Sequence, residues 1–123
     1  MRALLLLVLL IGAGAPAGLA IDGQPFAQNE VVDARGLPDV GGGAAILITL
    51  TPPASARLAA LTRAHVGDKL IVSVDGAMVA EPVVNEEIAG GALQISGSFS
   101  LAEAVAIARR ISGKDPLPDS LEE

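Results

Sequence analysis

An apolar run from Ala3 to Ile11, preceded by Met1 and Arg2 and followed by small residues and Pro16, opens the chain. A basic start, a short apolar stretch and a small-residue exit make up the plan of a secretory signal peptide. A run of about nine residues falls well short of the roughly 20 that a bilayer-spanning helix needs, so removal is expected rather than anchoring. Gly18 and Ala20 suit the small pockets of a signal peptidase and place the cut after Ala20, with Ala17 a second candidate. Residues 1–20 then form the signal and residues 21–28, mixed and polar, a flexible leader.

The pattern beyond residue 28 predicts the folded part, residues 29–112. Glu30 to Ala34 suits a first strand, and Gly36, Pro38 and the Gly41, Gly42, Gly43 triplet mark a loop. Ala44 to Leu50 is apolar except for Thr49, the pattern of a strand covered on at least one face. Thr51, Pro52 and Pro53 start a helix: a hydroxyl free to cap, then residues whose missing N–H groups would have had no partner there. Leu58 and Leu61, with Ala54, give that helix a narrow apolar stripe to about Ala64.

Lys69 to Val74 and Met78 to Val84 read as two strands around Asp75-Gly76, a dipeptide that accepts the positive φ angles of a tight hairpin turn. Pro82 has no N–H to give a neighbouring strand, so its strand lies at an edge or carries a bulge. Asn85 to Gly91 is a loop and Ala92 to Ile95 a last short strand. Ser100 and Glu103 have capping-box spacing, opening a helix to about Ile111 with Leu101, Val105, Ala108 and Ile111 on one face. Arg109 and Arg110 complement its negative end and Gly113 stops it. Residues 113–123 read as a disordered acidic tail. This order predicts an α+β fold, a small mixed or antiparallel sheet with two helices packed on one face.

Composition narrows the function. Loss of Arg2 with the signal takes the net charge from −6 to −7, which repels phosphate backbones and argues against nucleic-acid binding. With Phe26 and Phe99 the only aromatic side chains, the chain has no platform for stacking bases and lacks the commonest interface anchors. The absence of cysteine rules out disulfides, thiolate metal sites and a cysteine-linked lipid anchor.

From Ala44 to Ile111 the residues resemble the head subdomain of the first periplasmic domain of the preprotein translocase subunit SecD. Leu61-Thr62-Arg63-Ala64-His65-Val66-Gly67-Asp68-Lys69-Leu70 is similar to that family's "LT…VGKRL" helix exit, Val74-Asp75-Gly76 to its "LDG" turn, and Pro82-Val83-Val84 to its "APVI" strand. The stretch from Ile88 to Phe99, with Glu103 and Ala104, resembles its "I-GG-QISG-F…EA". Ala80, Glu81 and Glu87 depart from the family's usual residues at their positions. The resemblance implies a head module involved in moving polypeptides across a membrane, here without the family's transmembrane helices or base domain.

Candidate chemistry is sparse. His65, the one histidine, reads as a solvated helix-end residue. Glu81, Glu86 and Glu87, with Asn85, form an acidic patch that suits a solvated loop, a cation such as calcium or a basic segment of a partner. Gly90 and Gly91 serve either a turn or close approach of a peptide backbone. No nucleophile, base and orienter fall into a recognisable set, so neither an enzyme nor a bound cofactor is expected. The expected role is a non-catalytic periplasmic accessory module that binds extended or partly folded polypeptide, or docks on an envelope export complex, through a sheet edge or the glycine loop, with Glu81, Glu86, Glu87, Gly90 and Gly91 as the contact residues. The rival is a regulatory or structural subunit that holds one folded envelope partner by the acidic patch.

Overall fold

The computed structural model describes residues 18–118. Within them two short antiparallel sheets and two helices enclose one core. The elements are β1 (Leu19–Ile21), β2 (Gln24–Phe26), a 3-10 turn (Gln28–Glu30), β3 (Val31–Pro38), β4 (Ala44–Leu50), α1 (Pro52–Ala64), β5 (Val72–Val74), β6 (Ala77–Ala80), β7 (Ala92–Gly97) and α2 (Leu101–Ser112). The α+β class and both helices agree with the sequence pattern. The strands, however, divide into a four-stranded sheet of order β2-β1-β5-β6 and a three-stranded sheet of order β3-β4-β7.

The four-stranded sheet takes two of its strands from the N-terminal segment. Residues 21–28, expected as a loose leader, are ordered. Leu19, Ala20 and Ile21 are almost wholly buried, at 0%, 1% and 1% exposure. Their strand pairs with β2 on one side and β5 on the other, Ala20 standing opposite both Pro25 and Ser73. Asp22 and Gly23, with φ of 52° and 81°, make the β1–β2 turn. Asp75 and Gly76, at 54° and 87°, make the expected β5–β6 turn with the same pair of residue types. Phe26 sits in the core beneath Arg57, whose guanidinium carbon lies 4.3 Å from the ring centroid.

Gly36, expected in a loop, lies within β3. A Cβ at Gly36 would stand 2.7 Å from the Val105 nitrogen and 2.8 Å from the Ala104 carbonyl carbon, so its missing side chain lets α2 lie directly on the strand. The strand consequently runs on to Pro38 and turns through residues 39–43 into β4, with Pro38 opposite Ala44. The second hairpin is shorter than the pattern suggests: β6 ends at Ala80, and one bridge, Lys69 to Val83, resumes the pairing beyond Pro82.

Both helix starts are informative. At α2 the Ser100 hydroxyl accepts from Glu103 N–H at 3.1 Å while the Glu103 carboxylate accepts from Ser100 N–H at 2.8 Å, as the capping-box spacing requires. Gly113, with φ of 77°, closes the other end. Thr51 precedes α1 as expected, but its hydroxyl makes no cap. Pro53, at the second helical position, removes one of the two N–H groups a cap would serve, and Ser55 turns back to donate to Thr51 C=O at 2.8 Å.

The tail is also tied down as far as it is described. Leu117 N–H donates to Asp33 at 2.7 Å, Arg35 donates to Leu117 C=O at 2.8 Å, and Arg109 pairs with Asp115 at 2.8 Å. Residues 119–123, like residues 1–17 of the expected signal, lie outside the described residues.

Asp33 is buried at this junction. Burial pushes its carboxyl upward, but the Arg35 guanidinium and the Leu117 N–H outweigh that and hold it below the ordinary aspartate range. Glu30 is lowered by the Ala27 N–H and Arg57, and Asp75 by the Gly18 N–H and Arg110. A carboxyl depressed on folding contributes stability above its unfolded pKa, about 4, and that contribution is lost as pH falls through the folded value. Urea midpoints are therefore expected to fall steadily below about pH 4, and the Asp33→Asn variant to show a weaker acid dependence on top of a lower midpoint at pH 7.

Candidate functional site

The site grows from the segment between β6 and β7, where the chain runs without regular structure from residue 81 to residue 91. Pro82 cannot continue the ladder, yet the segment is anchored by backbone bonds. Leu70 N–H donates to Pro82 C=O at 2.9 Å, Val84 N–H to Asp68 C=O at 2.9 Å, and Gly67 N–H to Val84 C=O at 2.8 Å. At its far end Ile88 N–H donates to the Thr62 hydroxyl at 2.9 Å. Thr62 is fully buried and passes its own proton back to Leu58 C=O at 2.9 Å, so the hydroxyl is satisfied on both sides.

A cleft of about 280 Å³ opens beside this segment. Leu58 and Thr62 of α1, Ile21 of β1, Val72 of β5 and Leu93 of β7 line it, with Pro82 to Glu86 along the rim. Its volume is just under the range of about 300–1,000 Å³ typical of small-molecule sites. The lining is aliphatic with few polar groups, which suits one or two apolar side chains better than a cofactor.

One strand edge, that of β7, borders the cleft through Leu93 and Gln94. Among the described residues β7 pairs with β4 on one side only and β6 with β5 on one side only, and the two strands contact one another without pairing. Ala92, Gln94 and Ser96 of β7 are exposed while Leu93 and Ile95 are buried, the alternation of a strand with one solvated face.

The structure separates the residues singled out from the sequence. Glu81, Glu86 and Glu87 are all exposed along the 81–91 segment, but Glu86 alone lines the cleft. Glu87 pairs with Arg63 at 3.2 Å, which takes one charge out of the expected acidic patch. No group of three or more His, Cys, Asp or Glu among the described residues is placed to hold a metal ion.

Gly91 has a positive φ of 78°, its C=O accepts from Leu50 N–H at 2.8 Å, and a Cβ there would meet the Ser55 side chain. Packing against the start of α1 therefore accounts for Gly91. Gly90 has nothing within 4 Å of where a Cβ would stand, so its surface is open.

His65 is half-buried rather than solvated. Its Nδ1 lies 2.8 Å from Leu61 C=O and its Nε2 3.3 Å from Asp22, linking the end of α1 to the β1–β2 turn. Sequence reading missed the contributions of Ile21 and Thr62. Thr62, four residues after Leu58, carried a signal in its helical spacing; Ile21 was hidden by its place in the expected leader.

The family model for the SecDF P1 head subdomain matches residues 17–114. The chain belongs to that family. SecDF from Thermus thermophilus is 33% identical over 90 residues, 72% of this chain and 12% of the relative. SecD from Rhodobacter capsulatus is 29% identical over 80 residues, 65% of this chain and 14% of the relative. A crystal structure of SecDF in a super-membrane-facing form aligns with a TM-score of 0.64 at 30% identity, covering 76% of this chain and 13% of that one. A second SecDF structure, of a membrane component described as enhancing protein export, aligns equally well and is covered over 43% of its length.

The chain thus spans about one-eighth of the curated SecDF it matches. The head match begins at residue 17 and takes in β1 and β2, so the head starts before residue 29, the boundary expected from the sequence. No helix among the described residues is long and apolar enough to cross a membrane.

Proposed function

We propose that this SecDF-type head acts outside the cytoplasm as a non-catalytic module in protein export, binding extended polypeptide along the free edge of β7. The observation that carries this reading is the unpaired strand edge beside an apolar cleft. An added strand would draw its affinity from main-chain hydrogen bonds, which every polypeptide offers, and insert alternate apolar side chains toward Leu58, Val72 and Leu93. Such pairing needs no aromatic anchors, in keeping with a chain whose Phe26 is buried in the core. Affinity would be modest and tolerant of sequence, as a protein that handles many export substrates requires. The family membership and the export role described for one SecDF structure support the same reading.

A photoreactive residue at Ala92, which is exposed at the start of β7, tests it. In the tagged, exported protein it is expected to capture many different secretory chains or translocon subunits, and unfolded secretory polypeptide is expected to shift backbone resonances of residues 92–97. Unmoved resonances together with no captured chain would overturn the reading. Capture of one recurrent folded protein would replace it with a dedicated subunit.

A further inference from the structure

The N-terminal strand determines where the chain can be cut. Cleavage after Ala20 would split β1, the strand that hydrogen-bonds both β2 and β5, and would remove Leu19, which is fully buried. Ala15 and Ala17 offer a second pair of small residues at the spacing that signal peptidases accept, three residues upstream, and leave β1 whole.

The residue that such a cut would expose is already held by a carboxylate. Gly18 N–H donates to Asp75 Oδ1 at 2.6 Å, and Asp75 N–H returns a bond to Gly18 C=O at 2.9 Å. The other carboxylate oxygen, Oδ2, accepts from Arg110 Nε at 3.1 Å. Asp75 is fixed by the tight β5–β6 turn, and its carboxyl is held below the ordinary range first by the Gly18 N–H and then by Arg110.

We propose that the chain is processed between Ala17 and Gly18, and that the α-ammonium so created forms an ion pair with Asp75 that locks β1 into its sheet. A signal-peptidase-type endopeptidase supplies the catalysis and water is the co-reactant. The Ala17 C–Gly18 N bond breaks, the water oxygen joins the Ala17 carbonyl carbon to give a carboxylate, and both water protons end on nitrogen, turning the amide N–H into an ammonium. A neutral donor 2.6 Å from the carboxylate thereby becomes a charged one, which adds the Coulombic attraction of an ion pair to the hydrogen bond already there. Asp75 then serves the ammonium with one oxygen and Arg110 with the other. The processing site is independent of what the β7 edge binds.

The full chain, expressed with export in a bacterial host and recovered by a C-terminal tag, is expected to give one species whose intact mass and N-terminal sequence begin at Gly18. A species beginning at Ile21, or an unprocessed chain, would overturn the processing site. In the processed protein the Gly18 α-ammonium, followed by NMR, is expected to titrate about one pH unit above the ordinary α-amino value of about 8. The charged groups facing it are Asp75 and Arg110. Asp75→Asn, which tolerates the left-handed turn position, is expected to return the titration to its ordinary value without moving the start from Gly18. A raised pKa contributes stability below about pH 8 that is lost as pH climbs through the folded value. The melting temperature of the processed wild-type protein should therefore fall more steeply between pH 8 and 10 than that of the variant. An ordinary α-amino titration in the wild-type protein would overturn the ion pair.

Discussion

Phe26→Ala is expected to destabilise the domain by about 3–5 kcal/mol, the cost of removing a buried aromatic side chain and leaving a cavity. For a domain of this size that lowers the melting temperature by about 15 °C or more, readable by circular dichroism or differential scanning fluorimetry. Phe26 is 1% exposed and heads the largest fully buried side chains. Its ring supports Arg57, which pairs with Glu30 at 2.7 Å and also donates to Pro25 C=O. Removing the ring thus loosens β2, the 3-10 turn and α1 together. Arg57→Ala separates the contributions: it leaves the ring in place and removes half-exposed polar contacts, so a loss of about 1 kcal/mol is expected. A Phe26→Ala protein as stable as wild type would mean that the β1–β2 hairpin contributes little to the core.

Gly36→Val is expected to rank second. At Gly36 the neighbours of a new Cβ are backbone atoms of α2, at 2.7 and 2.8 Å, and backbone cannot swing aside as a flexible side chain can. The helix would have to lift from β3, the strand it covers, at a cost of about 1–3 kcal/mol for Ala and more for Val. The control is Gly90→Ala, where nothing stands within 4 Å of the added carbon; a change within about 0.5 kcal/mol is expected there. Urea denaturation of the three proteins ranks them directly. Equal midpoints for the Gly36 and Gly90 variants would contradict the close approach of α2.

Local chemistry made much of this fold legible. The capping box at Ser100 and Glu103, the prolines opening α1, the β4 run and the Asp75-Gly76 turn each depend on residues adjacent or within one helical turn, and each forms where the pattern put it. The Asp22-Gly23 turn carried the same two residue types as Asp75-Gly76 and went unread. The apolar residues before it, Leu19 to Ile21, serve equally well as the end of a secretory signal or as a buried strand. Hydrophobicity alone does not distinguish them. What decides is a partner strand, β5, some fifty residues away.

The same division runs through the candidate site. Acidic residues at 81, 86 and 87 could be seen together in the sequence, but that Glu87 pairs with Arg63 of α1 depended on where the helix lies. The glycine pair at 90 and 91 was visible, while its two members have unlike roles because Ser55 lies against one and solvent against the other. The cleft itself draws on β1, α1, β5, the 81–91 segment and β7, so no local pattern could reveal it.

By itself the sequence determined the class of fold, both helices with their ends, the β5–β6 turn and the SecD-type motifs, because caps, turns and periodicity act over a few residues and survive in any context. The tertiary structure alone decided the division into two sheets, the place of β1 at the centre of one of them, the close contact at Gly36 and the free edge of β7. Each of those depends on which distant surfaces meet, and burial is a property of the pair that meets rather than of either segment alone.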